Sequence, residues 1–111
     1  GSLAASNIDL EDDAKLLLGT GDDLQIYHDG TSNIFLGNGS ADFKIQDANH
    51  TSAIFDTSAE VQLYYDNSKK FETTSSGITV TGTVAATAVT GDGSGLTNVP
   101  TGFSPINFVL S

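Results

Sequence analysis

The chain has 111 residues, a formal net charge of −10 and 38% hydrophobic residues, with 12 glycines and no cysteine. This length suits one domain, and a lone chain of this composition buries only a thin core. The negative charge argues against binding of nucleic acid or of an anionic membrane surface. The lack of cysteine excludes disulfides and thiolate metal sites, and no apolar run approaches the roughly 20 residues that span a membrane.

The two ends of the chain differ from its middle. Gly1-Ser2 is typical of a cloning scar, and the absence of methionine leads us to expect a piece of a longer protein. Residues 3–14 form a leading segment of mixed polarity, which we expect to be extended. Residues 85–100 are rich in small residues and glycine, which favours a connector. Residues 101–111 are apolar, and we expect neighbouring chains to cover them, or a deleted domain to begin there.

An internal repeat organises the middle of the chain. Residues 23–30, DLQIYHDG, return 37 positions later as residues 60–67, EVQLYYDN. Leu24, Ile26 and His28 alternate with polar residues, and a side-chain period of two indicates a β-strand. Turn residues close each copy. A repeat in so short a chain indicates modular β architecture.

Short apolar segments recur every eight to ten residues between turn-rich pieces. They begin near Lys15, Leu24, Asn33, Asp42, Ser52, Glu60, Lys69 and Gly77. This spacing predicts an all-β fold, with residues 15–84 as one repeat-containing region. A self-contained sandwich stays open but is not favoured, because each strand offers only two or three inward side chains and the chain has no tryptophan. A β-propeller is excluded, because two repeats cannot close a ring.

Three segments resemble phage tail-fibre proteins, especially those of marine and cyanobacterial phages. Residues 15–30, KLLLGTGDDLQIYHDG, are similar to a repeat of those proteins, and residues 64–82 are similar to a companion segment. Residues 91–100, GDGSGLTNVP, resemble a connector of fibrous phage and bacterial surface proteins. The resemblance implies an elongated, intertwined parallel homotrimer, a β-prism or triple β-helix of short strands, with no enzymatic activity and no cofactor.

In such a trimer, the inward side chains of three chains meet at the axis. A thin apolar stripe on each chain then fills a narrow core, and neighbouring chains cover the strand edges. The residues that we expect in this trimer core are Leu24, Ile26, Phe43, Ile45, Val61, Leu63, Ile78 and Val80.

The function implied by the resemblance is mechanical: a shaft segment of a tail fibre in the virion, extracellular when it works, that supports host attachment. Its partners would be further copies of itself, other fibre or baseplate proteins and a host-surface receptor. Nucleic acid and membrane insertion are not expected. The alternative is a receptor-binding tip module, in which Phe103–Leu110 forms a small head that recognises a host-surface glycan or protein. An enzyme is the third class, and it is not expected.

His28 is a candidate for an axial ion site in the trimer. Three copies could converge on the axis, and imidazole is the usual protein ligand of transition metals. A packed, hydrogen-bonded histidine in the place of Tyr65 is the favoured alternative, since metal sites usually need more than one ligand per chain. No metal is therefore assigned. His50 lies among turn residues, where we expect it to be solvated.

Other polar and aromatic groups have simpler interpretations. Acidic groups without the spacing of known calcium loops are expected to decorate turns, namely Asp12, Asp13, Asp22, Asp23 and Asp92 with Ser94. Asp56 and Glu60 flank a turn with no adjacent apolar pocket, so a catalytic carboxylate pair is not expected. Aromatic residues that could stack on sugars are expected to pack within or between chains, namely Tyr27, Phe35, Tyr64 and Tyr65. Three threonines are expected on a solvated strand face, namely Thr79, Thr81 and Thr83.

Overall fold

A computed structural model describes residues 6–100, and this part of the chain contains eight β-strands and no helix. The strands are β1 (Leu16–Leu18), β2 (Leu24–His28), β3 (Asn33–Gly37), β4 (Phe43–Gln46), β5 (Thr51–Phe55), β6 (Val61–Tyr65), β7 (Ser68–Thr74) and β8 (Gly77–Val80). The predicted all-β fold is confirmed, and every strand begins within one residue of its predicted start. Residues 6–100 therefore contain no helical segment that could span a membrane.

The strands form two antiparallel meanders, in which each strand pairs only with its neighbours in sequence. The first sheet has the order β1-β2-β3, and the second has the order β4-β5-β6-β7-β8. The sheets separate between β3 and β4, which are not paired. At this junction the ring of Phe43 packs on the last residue of β3: a Cβ added to Gly37 would lie 3.0 Å from Cε2 of Phe43.

The sequence repeat is also a repeat of strand register. In the first sheet Leu16 lies opposite Ile26, and Leu18 lies opposite Leu24. At an offset of 37 positions, strands β5 and β6 show the same pairs, with Ala53 opposite Leu63 and Phe55 opposite Val61. The backbone turn between the strands repeats as well, since the N–H of Asp22 donates to the carbonyl of Gly19 and that of Ala59 donates to the carbonyl of Asp56. The two copies are therefore one structural module used twice.

The copies differ in the hairpin that follows. The first copy closes with a four-residue loop, residues 29–32, in which the N–H of Asp29 donates to the carbonyl of Ser32. The second closes with the two-residue turn Asp66-Asn67, whose φ angles are 47° and 65°. Two central residues at positive φ characterise a type I′ turn, which matches the twist of paired strands. The register of β6 against β7 shifts by one residue between Leu63 and Tyr64.

The last strand is shorter than its alternating sequence suggests. β8 ends at Val80, although alternation continues to Val84. One further backbone hydrogen bond joins the N–H of Thr81 to the carbonyl of Lys70. Gly82 then takes a φ of 117°, a left-handed conformation that leaves the extended path of the strand. Residues 83–100 contain no strand or helix.

The molecule is elongated and has almost no core of its own. Its extents are 68 × 35 × 28 Å, and its radius of gyration is 21.6 Å, against roughly 13 Å for a compact domain of this length. It exposes 9128 Å², where a compact monomer of its mass exposes roughly 5800 Å². Among the described residues, Ala53 is the only buried hydrophobic residue. The strands are thus assembled into sheets, but the sheets are not covered.

Aspartates at the first position of three loops hold the loop backbone. One carboxylate oxygen of Asp29 accepts hydrogen bonds from the N–H groups of Ser32 and Thr31. Asp47 does the same for Asn49 and His50, and a third loop uses Asp56 in a similar way. These backbone hydrogen bonds favour the ionised form and lower the pKa of each carboxyl below its ordinary value of 3.8.

The lowered pKa values predict an acid-sensitive contribution from these loops. A group whose pKa is lower in the folded state stabilises the fold above its unfolded pKa, and this contribution is lost as the pH falls through the folded pKa. We expect the triple variant Asp29→Asn, Asp47→Asn and Asp56→Asn, which keeps the acceptor oxygens, to be less stable than the parent at pH 7. The difference in melting temperature by circular dichroism should shrink below about pH 4; a difference that is the same at pH 7 and pH 3 would contradict this account.

Candidate assembly surface

One face of the second sheet is apolar across all five strands. Residues that lie opposite each other in an antiparallel pair point to the same face. One row runs from Ile45 through Ala53, Leu63 and Phe71 to Val80. A second row consists of Phe43, Phe55, Val61, Thr73 and Ile78. Both rows lie on the same face, and nothing among residues 6–100 covers them fully: Ile45 is 59% exposed and Ile78 is 61% exposed.

The first sheet presents a matching apolar face. Leu16, Ile26 and Phe35 form one row across its three strands, and Leu18 and Leu24 lie beside them. Phe35 is 69% exposed, an unusual state for a phenylalanine within a strand. The face is therefore apolar and open, like that of the second sheet.

The two faces meet in a groove at the junction between the sheets. Phe35 of the first sheet and Phe43, Ile45 and Phe55 of the second line this groove, together with Lys44, and its volume is about 360 Å³. The apolar faces are thus continuous across the junction. We call the whole surface the apolar stripe; its members are Leu16, Leu18, Leu24, Ile26, Phe35, Phe43, Ile45, Ala53, Phe55, Val61, Leu63, Phe71, Ile78 and Val80.

Apart from Ile54, the opposite face of the second sheet is polar, and several of its side chains bond to one another. The hydroxyl of Tyr64 donates to Gln62, whose amide donates to Glu60. The ammonium of Lys69 lies 2.7 Å from the Oε2 atom of Glu72, and this contact raises the pKa of the lysine. The second sheet therefore has one face suited to water and one face suited to an apolar partner.

All eight residues predicted for a trimer core lie on the apolar stripe. The prediction omitted six of its members, namely Leu16, Leu18, Phe35, Ala53, Phe55 and Phe71. The repeat already contained a signal for four of them: Leu16 and Leu18 of the first copy align with Ala53 and Phe55 of the second. Whether the stripe forms the centre of a trimer stays a prediction, because it concerns contacts between chains.

The two histidines lie in different surroundings. His28 is exposed at the end of β2, and its Nδ1 atom lies 2.9 Å from the Oδ1 atom of Asn33 across the strand pair. It shares the face of Leu24 and Ile26, as predicted, and its convergence with other copies is not tested by a single chain. His50 is half exposed; its Nε2 atom lies 3.2 Å from Asp66, and its Nδ1 atom lies 3.4 Å from Asp47.

Several of the acidic candidates form hydrogen bonds with residues close to them in sequence. Asp56 bonds its own loop through Ser58, and Glu60 accepts a hydrogen bond from Gln62, so both carboxylates have partners close in sequence. Asp92 likewise binds the N–H and hydroxyl of Ser94. Within residues 6–100, no cluster of three or more metal-ligating side chains occurs.

The aromatic candidates divide between packed and open positions. The ammonium of Lys15 lies 4.6 Å from the ring centre of Tyr27, which is a cation–π contact. Tyr27 lies on the face of the first sheet opposite the apolar stripe. Tyr64 is half-buried among the polar residues described above, whereas Tyr65 is 75% exposed beside the apolar stripe. The apolar segment Phe103–Leu110, the basis of the alternative receptor-binding head, lies outside the described residues.

The apolar stripe is therefore the surface on which a functional interpretation depends. Comparison with known proteins found no match: no protein-family model, no curated protein and no solved structure matches the chain.

Proposed function

We propose that the chain is a structural shaft segment of a phage tail fibre, which assembles as an elongated homotrimer through the apolar stripe. The observation that carries the proposal is the stripe itself. Its fourteen residues lie on one side of two sheets, eight of them are more than a third exposed, and Ala53 alone is buried among the described hydrophobic residues. A soluble protein rarely leaves so large a contiguous apolar surface open unless it is an interface.

Identical chains are the best candidates for the cover. Burial of a large apolar side chain contributes about 1.5–3 kcal/mol, and three stripes facing a common axis would supply to one another the core that each chain lacks. A closed cyclic trimer is one of the symmetries open to identical chains. The polar face of the second sheet would then point outwards to water.

The likeness of residues 15–30 and 64–82 to tail-fibre repeats supports the mechanical role. An elongated chain of modules with equal register suits a spacer that holds a receptor-binding tip away from a baseplate. On this proposal the protein lies in the virion, its partners are its own copies and the adjoining fibre or baseplate proteins, and it carries out no reaction.

The state of assembly tests the proposal. We expect sedimentation equilibrium of the full chain to give three times 11.5 kDa, and small-angle scattering to give a rod. The trimer should persist at micromolar concentration, because obligate interfaces are large and apolar. A mass of 11.5 kDa together with a cooperative unfolding transition would overturn the proposal, since it would show a chain that is stable alone.

A further inference from the structure

The repeated module has a partner strand in one copy and none in the other. Strand β4 pairs with the outer edge of β5, with Phe43 opposite Phe55 and Ile45 opposite Ala53. Strand β1 is the equivalent of β5 in the first copy, and its outer edge is paired with no strand among residues 6–100. The leading residues 6–14 do not fill this edge, because the backbone hydrogen bonds described for them go to His28 or stay within the segment.

We propose that the outer edge of β1 is an acceptor site for one added β-strand of apolar–polar–apolar sequence, donated by the adjoining segment of the same fibre. The pairing of β4 with β5 defines the geometry, so the added strand runs antiparallel to β1. One of its apolar side chains lies opposite Leu16, as Ile45 lies opposite Ala53. The other lies opposite Leu18, as Phe43 lies opposite Phe55. The proposal deepens the proposed shaft function and rests on it, since it assigns the donor to the next part of the fibre.

The composition of β1 suits such an acceptor. A strand at a sheet edge presents unpaired N–H and C=O groups that bind another extended chain. Proteins that must avoid this pairing place charges, prolines or bulges at the edge, but β1 is Leu16-Leu17-Leu18 and pairs with β2 without a bulge. All three leucines are exposed by more than 40%. An added strand would complete the row that begins with Leu16, Ile26 and Phe35.

A peptide of the β4 sequence provides the test. The decapeptide of residues 41–50, with blocked termini, is titrated into the full chain, and hydrogen–deuterium exchange is followed at the backbone amides of Leu16–Leu18. At a free peptide concentration of about ten times its Kd, we expect exchange at β1 to slow about tenfold. Exchange in β5 should not change, since its edge already holds β4.

Two control peptides separate strand addition from non-specific apolar binding. Exchanging Lys44 and Ile45 keeps the composition but moves one apolar side chain to the other face, and it should weaken binding about tenfold. N-methylation of alternate backbone amides should abolish the protection if it depends on backbone hydrogen bonds. Unchanged exchange at β1 with the parent peptide, or equal protection by all three peptides, would overturn the proposal.

Sedimentation of the same samples distinguishes this failure from failure of the shaft function. A trimer whose β1 amides are not protected by the peptide overturns the acceptor site alone. Protection in a chain of 11.5 kDa contradicts the shaft and removes the donor that we assign. A trimer whose β1 amides are already protected without peptide shows that a sister chain fills the edge, and this too overturns the assignment.

Discussion

Replacement of Leu63 by lysine is expected to convert the proposed trimer into monomers. Leu63 lies at the centre of the apolar stripe, on β6 between Ala53 and Phe71, and is 43% exposed in a single chain. The substitution removes about 1.5–3 kcal/mol of apolar burial from each chain and places three ammonium groups within one apolar core, where charges without partners are strongly unfavourable. Sedimentation equilibrium should show the mass fall to 11.5 kDa.

Thr79→Lys is the matched control for this variant. It makes the same change of charge, but Thr79 is exposed on the polar face of the second sheet, opposite Glu72. We expect this variant to stay trimeric, with a melting temperature close to that of the parent. Equal dissociation of both variants would show that charge alone controls assembly, and equal persistence of both trimers would show that the apolar stripe is not the interface.

Asn67→Ala is expected to destabilise the protein where the turn between β6 and β7 contacts the loop between β4 and β5. Asn67 has a φ of 65° in the turn between β6 and β7. Its Oδ1 atom accepts a hydrogen bond from the N–H of Thr51, and its Nδ2 atom donates to the carbonyl of Asn49. Alanine at this left-handed position costs about 1–2 kcal/mol, and each lost hydrogen bond costs about 0.5–1.5 kcal/mol.

Asn67→Gly separates the two contributions. Glycine adopts positive φ without strain but loses both side-chain hydrogen bonds, so it should recover part of the stability that alanine loses. The measurement is the free energy of unfolding in urea for the parent and both variants. Equal losses in the glycine and alanine variants would show that strain at φ 65° contributes nothing, and no loss in either would show that the side chain does not join the two loops.

The local features of the fold could be predicted from the sequence, and the pairing of strands could not. Turn residues such as Asp29-Gly30 and Asp66-Asn67 interrupt the apolar alternation, and this is why the strand starts were predicted to within one residue. The separation of β3 from β4 had no local signal, because residues 38–42 look like any other turn. It depends on whether Phe43 pairs with β3 or with β5, which is a choice between distant partners.

The candidate surface was predicted in part for the same reason. Residues such as Ile45 and Val80 stand out through alternation within their own strands. Phe35 and Phe71 belong to the surface only because cross-strand register aligns them with Ile26 and Leu63. Register is a relation between strands, so a reading of single segments does not reveal it. The strand-accepting edge of β1 is a further such relation, visible only when the two modules are compared.

The meander topology has a consequence for how such a protein forms. Since every strand pairs with its neighbour in sequence, each hairpin closes over a short stretch of chain, with a small loss of loop entropy. Hairpins of this kind form in about 1–10 μs, whereas the meeting of separate subunits depends on their concentration and takes far longer. On the proposed assembly, newly made chains would therefore form sheets with exposed apolar faces before they meet one another, and the concentration of chains would decide between assembly and aggregation.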